Sequence, residues 1–368
     1  MAFFKFNNIK ISAVAACVPK TVVNVDSFAE SFGKEYVEKF KESTGVKQYR
    51  KTRDHQTASD LCFASAEKIL TEKNVDRSEV KALIFVAHST DYRRPATACV
   101  LHKRLGLNKD CVSFDVNLGC SAFVYGLQII CSLMQNSDID KALLLVGETL
   151  TKMTNPKDSS VSMIFGDGGS AVLLEKSTDN SCIQGVLKTD GNGYQDIIAP
   201  AGGYRNMNAT HEDFVWKDGN TRNLYNTVMR GDNVFSFTIS AVPRTIKEFL
   251  TKTETTVDDY ECFAFHQANK FITGMLAKKL KVDMGKFPIC LDRFGNTSAP
   301  AIPLTICDKY GSESGSRLVH FLMCGFGVGL SWGVCSASIN VSDIYPVIES
   351  DDVFEEGIIN SPNDFLEA

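Results

Sequence analysis

Val112-Ser-Phe-Asp-Val-Asn-Leu-Gly-Cys-Ser-Ala122 can be laid over Ile289-Cys-Leu-Asp-Arg-Phe-Gly-Asn-Thr-Ser-Ala299. In each, an apolar run ends in Asp, a short turn follows, and Ser-Ala opens a helical pattern. Asp115 and Asp292 are each followed six residues later by Ser and seven later by Ala. A repeated supersecondary unit predicts two halves of similar fold, with both turns at strand-to-helix junctions. The surrounding pattern agrees. Short apolar runs read as strands at Ala82–Ala87, Val112–Val116, Ala142–Val146, Ala171–Glu175, Cys262–Phe265, Ile289–Asp292, Leu318–Met323 and Ser331–Ser338. They alternate with helical patterns at Thr57–Lys73, Ala96–Leu105, Ser121–Gln135, Val234–Lys252, Lys270–Lys281 and Ala299–Lys309. Such alternation predicts an α/β architecture.

The chain has 368 residues, 44% of them hydrophobic, enough for two cores of ordinary size. A net charge of -5 argues against a general nucleic-acid binder. The twelve cysteines lie in apolar runs such as Leu61-Cys62-Phe63 and Met323-Cys324-Gly325. No CxxC and no zinc-ligand spacing occur, so no metal is expected. Eleven read as reduced core residues, because free Cys buries like a small hydrophobe. That predicts a reducing, cytoplasmic setting. Met1 to Val14 lacks an export signal, and no apolar run approaches the ~18 residues of a membrane span. The Gly/Asn/Asp-rich stretch 189–233, with Trp216 and Tyr225, reads as a long functional loop. From Val341 the sequence carries eight acids and little periodicity, and reads as a mobile or draped tail.

Four segments could carry chemistry. Cys120 follows a strand and turn and opens a helix, where the macrodipole favours thiolate; a turn cysteine can equally be structural. Cys262-Phe-Ala-Phe-His266-Gln-Ala-Asn269 delivers a His at the end of an apolar strand, where α/β proteins place ligands. His88 ends a similar strand and is read as structural; His320, in mid-strand, is read as a core or interface residue. Asp292-Arg-Phe-Gly-Asn296 reads as turn chemistry or as a site amide. Gly325-Phe-Gly327-Val-Gly329 has no following Lys-Ser/Thr, so it is not a phosphate loop; its backbone N–H groups suit an oxyanion hole.

In this order, each at a strand end, the segments resemble the 3-oxoacyl-acyl-carrier-protein synthase III family of the thiolase superfamily. The carrying motifs are Asn117-Leu-Gly-Cys120-Ser-Ala-Phe, Phe165-Gly-Asp-Gly-Gly-Ser-Ala171, Met229-Arg-Gly-Asp-Asn-Val-Phe235, His266-Gln-Ala-Asn269, Gly295-Asn296-Thr-Ser-Ala299 and Gly325-Phe-Gly-Val-Gly329 with Trp332-Gly333. Thr44-Gly-Val46 also fits, and the likeness runs from about Ile11 to Ile339. It implies a thiolase-like five-layered αβαβα fold: a half at 1–178 carrying the nucleophilic Cys, a half at 179–340 carrying His and Asn, and an acidic tail at 341–368. It further implies a homodimer, with Phe165–Ala171 as scaffold for the site and the interface.

For chemistry, the resemblance implies that Cys120 attacks a donor thioester while the backbone N–H groups of Cys120 and Val328 hold the oxyanion. His266 and Asn296 would then bind the carbonyl of a malonyl thioester. CO2 loss would supply the carbanion for Claisen condensation, with no cofactor. Tyr92, Arg94, Phe165 and Met229 are the expected lining of the acyl pocket. The segment Thr90–Pro95 is expected to reach the partner subunit's pocket. Lys278 and Lys279 are the expected docking residues for an acyl carrier protein. Phe271 and Ser236 replace a familiar Arg and Lys there. Lys39 stands where the family's adenine-stacking Trp belongs and Ser43 where an Arg is common, so acyl-CoA and acyl-carrier protein both stay open as donors. Two other functions use the same residues. One is acyl transfer from Cys120 to an alcohol or amine without decarboxylation; the other is a non-catalytic thiolase-fold partner subunit. A Cys-His hydrolase fits less well, because His266 lacks an evident orienting acid.

Overall fold

The computed structural model describes residues 2–366. Two large sheets carry strands β1 (Ala2–Asn7), β2 (Ile9–Pro19), β3 (Val80–Val86), β4 (Val112–Val116), β5 (Lys141–Glu148), β6 (Gly168–Lys176), β7 (Cys182–Thr189), β8 (Cys262–Phe265), β9 (Leu318–Gly327), β10 (Ser331–Asn340) and β11 (Ile348–Ser350). The main helices are α1 (Lys34–Thr44), α2 (Ala58–Glu72), α3 (Thr97–Arg104), α4 (Ala122–Gln135), α5 (Gly231–Thr253), α6 (Lys270–Leu280) and α7 (Ala301–Tyr310).

The first sheet has the order β11-β2-β6-β5-β3-β4 and the second β1-β7-β10-β9-β8. Within the first, β2–β6 and β6–β5 are antiparallel and β5–β3 parallel. Within the second, β7–β10 and β10–β9 are antiparallel and β9–β8 parallel. The two halves therefore share one topology, as the sequence overlay predicts. β2-α2-β3-α3-β4-α4-β5-β6 corresponds to β7-α5-β8-α6, a turn, then α7-β9-β10. The sheets exchange their outermost strands: β1 pairs with β7 of the second half, and β11 pairs with β2 of the first.

The correspondence breaks at one strand. Ile289–Asp292, expected to match β4, is not a strand; Leu291–Phe294 forms a single helical turn. The Gln267 Oε1 accepts the N–H groups of Cys290 and Leu291, each at 3.1 Å. Backbone donors spent on a side chain cannot enter a ladder.

Five layers follow from the burial of apolar faces. α4 carries no charged residue and is buried nearly all round, which suits a middle layer. With α7 it fills the space between the sheets, and residues of β2, β3, β5, β9 and β10 join them in one core. α2 and α3 cover the outer face of the first sheet, and α5 and α6 that of the second. This is the five-layered αβαβα arrangement that the resemblance implies. The described residues contain no helix long and apolar enough to cross a membrane. All twelve cysteines are free, but two differ from the expected core set: Cys99 is exposed and Cys182 half-buried. His320 is also exposed, bonded through Nδ1 to Ser338 Oγ at 2.7 Å across β9 and β10, because strand alternation turns it outward.

The acidic tail is draped and anchored. Beyond β11, Phe354 N–H donates to Asp60 Oδ1 at 3.1 Å, and Asp60 pairs with Arg104 at 2.9 Å. The Arg104 guanidinium is stacked between Phe63 and Phe354, 4.3 and 4.6 Å from the two rings. Tyr92 Oη donates to Gly357 O at 2.5 Å. A buried ion pair capped by an aromatic ring loses cation–π and packing energy when the ring goes. Phe354→Ala is expected to cost about 1–2 kcal/mol in a urea melt and to make the tail accessible to protease.

Candidate active site

Cys120 lies in the turn between β4 and α4, with 9% of its surface exposed. Its Sγ is 3.3 Å from the Ser298 hydroxyl. The glycine-rich turn after β9 closes over it. A Cβ on Gly327 would lie 2.7 Å from the Cys120 Cβ and 2.9 Å from its Sγ, so only glycine brings this backbone so near. The Val328 N–H and the N–H of Cys120 itself both act on the sulfur. Ser331 Oγ donates to Val328 O at 2.7 Å and meets Ser121 Oγ at 2.6 Å, which pins the turn. Burial raises the thiol's pKa above its ordinary value, and the bonds from Ser298 and Val328 pull it back down.

His266 follows β8, whose parallel pairing with β9 continues in a bond from His266 N–H to Cys324 O at 2.7 Å. The ring packs edge-on against Phe326 at 5.2 Å. It is 2% exposed, and its Nδ1 is buried with no partner among the described residues. Burial pushes its pKa down to about 4, against a smaller opposing contact with the Ser298 backbone. The imidazole is therefore neutral at physiological pH.

The rest of the His-Gln-Ala-Asn segment is scaffold. Gln267 Nε2 donates to Pro288 O at 2.8 Å and Thr305 Oγ1 at 2.9 Å, while its Oε1 holds the 290–291 turn. Asn269 caps α6, accepting the Ile272 N–H at 2.8 Å.

Asn296 sits between that turn and α7. Its N–H donates to Ile164 O at 2.8 Å, and its O accepts from Gly166 at 3.1 Å. The approach is close: a Cβ on Gly166 would lie 2.0 Å from Phe294 O. Asn296 Oδ1 accepts the Ser298 N–H at 2.9 Å, which commits the oxygen and leaves the amide NH2 to donate. Ser298 adopts a left-handed φ of +58° that aims its hydroxyl at Cys120. Behind it the buried Asp167 accepts from Thr52 and Thr151, backbone and hydroxyl alike, at 2.6–3.0 Å.

Cys120, His266, Asn296 and Ser298 line one cavity of about 360 Å³. Phe165 and Met229 line it too, as expected for pocket residues. Tyr92 and Arg94 do not: Tyr92 is held by the tail, and Arg94 is exposed outside this chain's cavity. Lys278 and Lys279 are exposed at the end of α6. Much of the wall comes from the 189–233 connection, through Tyr194, Ile197, Ile198, Ala199 and Thr227. There Ile197–Ile198 pairs with Val228–Met229 across the whole connection, Phe214–Val215 and Thr221–Arg222 form a short hairpin inside it, and a buried Arg222–Asp158 pair at 2.6 Å ties that hairpin to the body. These wall residues were not legible individually, because two-residue strands leave no periodicity. Ser298 lay inside a motif without being singled out, and His88, read as structural, also lines the cavity.

The model of the 3-oxoacyl-[acyl-carrier-protein] synthase III family matches residues 114–191, and that of its C-terminal part matches 250–339. Cys120 falls in the first range; His266, Asn296 and Val328 fall in the second. A crystal structure of a 3-oxoacyl-(acyl-carrier protein) synthase from Burkholderia xenovorans superposes with a TM-score of 0.88 at 33% identity, covering 95% of this chain and 99% of that one. The beta-ketoacyl-[acyl-carrier-protein] synthase III of Lactobacillus helveticus is 30% identical over 89% of this chain and 98% of its own. That of Streptococcus suis is 31% identical over 89% and 98%.

The His266 shift has a stability consequence. Between its folded pKa of about 4 and the ordinary 6.5, the unfolded chain binds more protons than the folded one. Stability from this group is fully present above pH 6.5 and is lost as pH falls toward 4, about 3 kcal/mol in all. His266→Gln is expected to flatten that part of the urea-midpoint-against-pH curve.

Proposed function

This chain belongs to the 3-oxoacyl-[acyl-carrier-protein] synthase III family, and we infer its mechanism from that membership and from the shared cavity. It is an acyltransferase of the condensing type, carrying out Claisen condensation in fatty-acid biosynthesis. The observation that carries the residue assignment is the convergence of Cys120, His266 and Asn296 on one cavity.

In our reading Cys120 attacks the carbonyl of an acyl thioester, and the thiol proton leaves with the departing carrier thiol. Negative charge developing on the carbonyl oxygen is met by the N–H groups of Val328 and Cys120. A malonyl thioester then enters, and its carbonyl oxygen accepts from the Asn296 amide and from a neutral His266 with its proton on Nε2. Fixed donors in a dry site stabilise the enolate left by CO2. That carbanion attacks the acyl-Cys120 carbonyl, and the collapsing intermediate expels the Cys120 thiolate and releases a 3-oxoacyl thioester. Decarboxylation itself generates the carbanion, so the scheme calls for no strong base and no cofactor.

Partners and setting are proposals too. An acyl carrier protein, itself acidic in our reading, would dock on Lys278 and Lys279, which pair with no carboxylate among the described residues. Lys39 has no ring to stack on the adenine of coenzyme A. A carrier-bound donor fits this better. Strand β4 closes the first sheet, paired among the described residues only with β3, with Val112 49% exposed. Such an open edge suits pairing with the same strand of a second copy in a homodimer. Twelve free cysteines suit a reducing, cytoplasmic location.

The two chemical steps are separable. Cys120→Ser is expected to give no acyl adduct by intact-protein mass after incubation with an acyl donor. His266→Ala and Asn296→Ala are expected to retain the adduct but to release CO2 from malonyl-carrier protein about 10²–10³-fold more slowly. Loss of adduct formation together with CO2 release in both variants would contradict the division of labour.

A further inference from the structure

Acylation places negative charge first on the Cys120 sulfur and then on the carbonyl oxygen. The N–H groups of Cys120 and Val328 act on the sulfur in the resting site, and in the scheme above they turn to that oxygen. The cavity offers the sulfur no cation: among the described residues its lining holds no Lys, Arg, Asp or Glu. Its titratable groups besides Cys120 are His88, His266 and Tyr194. Burial pushes the His266 pKa down to about 4, so that ring is neutral. The Glu148 carboxylate opposes charge on the sulfur. A thiolate here needs a neutral donor of its own.

One side chain is in place to be that donor. Ser298 Oγ lies 3.3 Å from Cys120 Sγ and has no other hydrogen-bond partner among the described residues. While the sulfur is a thiol, either atom can donate. A thiolate only accepts, so the hydroxyl must then donate. Rotation of one O–H bond makes the change, with no movement of heavy atoms.

The backbone holds Ser298 there under strain. Its N–H donates to Asn296 Oδ1 at 2.9 Å, and its O accepts from the Ala301 N–H at 3.3 Å. Its φ of +58° lies in the left-handed region, which favours glycine. Six other non-glycine residues among those described share such a φ, Asn74 and Lys281 for example, and all six are exposed. Ser298 is buried. Glycine would serve this turn with less strain, so the turn alone does not account for a serine. What its hydroxyl touches does.

We propose that Ser298 is a fourth catalytic side chain, whose hydroxyl donates to the Cys120 sulfur whenever negative charge builds there. It acts twice. In acylation the S–H bond breaks and the bond from sulfur to the acyl carbon forms, while the proton passes to the departing carrier sulfur. In condensation that bond to carbon breaks, its electron pair returns to the sulfur as thiolate, and a proton from solvent restores the thiol. Ser298 has no part in decarboxylation, where charge builds on the malonyl carbonyl oxygen. The proposal rests on Cys120 being the acylated residue.

The test uses Ser298→Ala and Ser298→Gly. Glycine suits the left-handed backbone, so the second variant removes the hydroxyl without adding strain. Alkylation of Cys120 by iodoacetamide is followed across pH by the mass of its peptide. Beside it are measured the rate of adduct formation from butanoyl pantetheine and CO2 release from malonyl-carrier protein by protein already acylated. Both variants are expected to move the alkylation curve up by about one pH unit or more and to slow acylation about tenfold or more, as loss of one hydrogen bond to a charged atom requires. CO2 release is expected to stay at the wild-type rate. An alkylation curve that keeps its place in both variants would overturn the proposal. So would acylation and CO2 release that fall together in both, the mark of a purely structural role. Wild-type protein that takes up no acyl group on Cys120 would instead remove the assignment beneath the proposal, and the proposal with it.

Discussion

The site depends on how closely the two halves approach at the middle of the molecule. The sulfur of Cys120 belongs to the first half, at the head of α4. The backbone that meets it, Gly327 and Val328, belongs to the second half, at the end of β9. One methyl group at Gly327 would overlap the sulfur's own Cβ. Neither half holds a complete site. It forms only when α4 and α7 pack between the sheets, so the energy of the central layer also positions the chemistry.

That burial sets the electrostatics. It raises the thiol's pKa and lowers that of His266, so the resting cavity favours neutral groups over an ion pair. A charge that develops during reaction must then be met by oriented donors: two backbone N–H groups, an amide and a neutral imidazole. In a dry cavity such dipoles are stronger than in water and need no reorganisation. The polar groups behind the site, Gln267, Asn269 and Asp167, use their hydrogen-bonding capacity in holding backbone, which keeps them out of the chemistry.

Much of this was legible in the sequence, for identifiable reasons. Cys120, His266 and Asn296 each sit at an abrupt change from apolar run to turn, and such breaks are local and visible. The overlay of 112–122 on 289–299 placed the repeat correctly, although one member of the pair is a turn. A distant side chain, Gln267, had captured its backbone donors, and nothing local records that. The cavity wall from 189–233 was hidden because its apolar residues lie on or beside strands too short to show a period. His88 and His266 end similar apolar strands, so their difference in surroundings emerges only in three dimensions. Composition left the tail mobile or draped; it is draped, and one arginine between two phenylalanines anchors it.

The central claim is tested most directly by a pulse and chase followed at peptide level. Protein loaded with an acyl donor is digested, and the peptide containing Cys120 is weighed before and after malonyl-carrier protein is added. The account predicts one acyl group per chain on that peptide, lost on the chase as a 3-oxoacyl thioester two carbons longer appears. An acyl group on another peptide, or one on Cys120 that the malonyl thioester leaves in place, would contradict it.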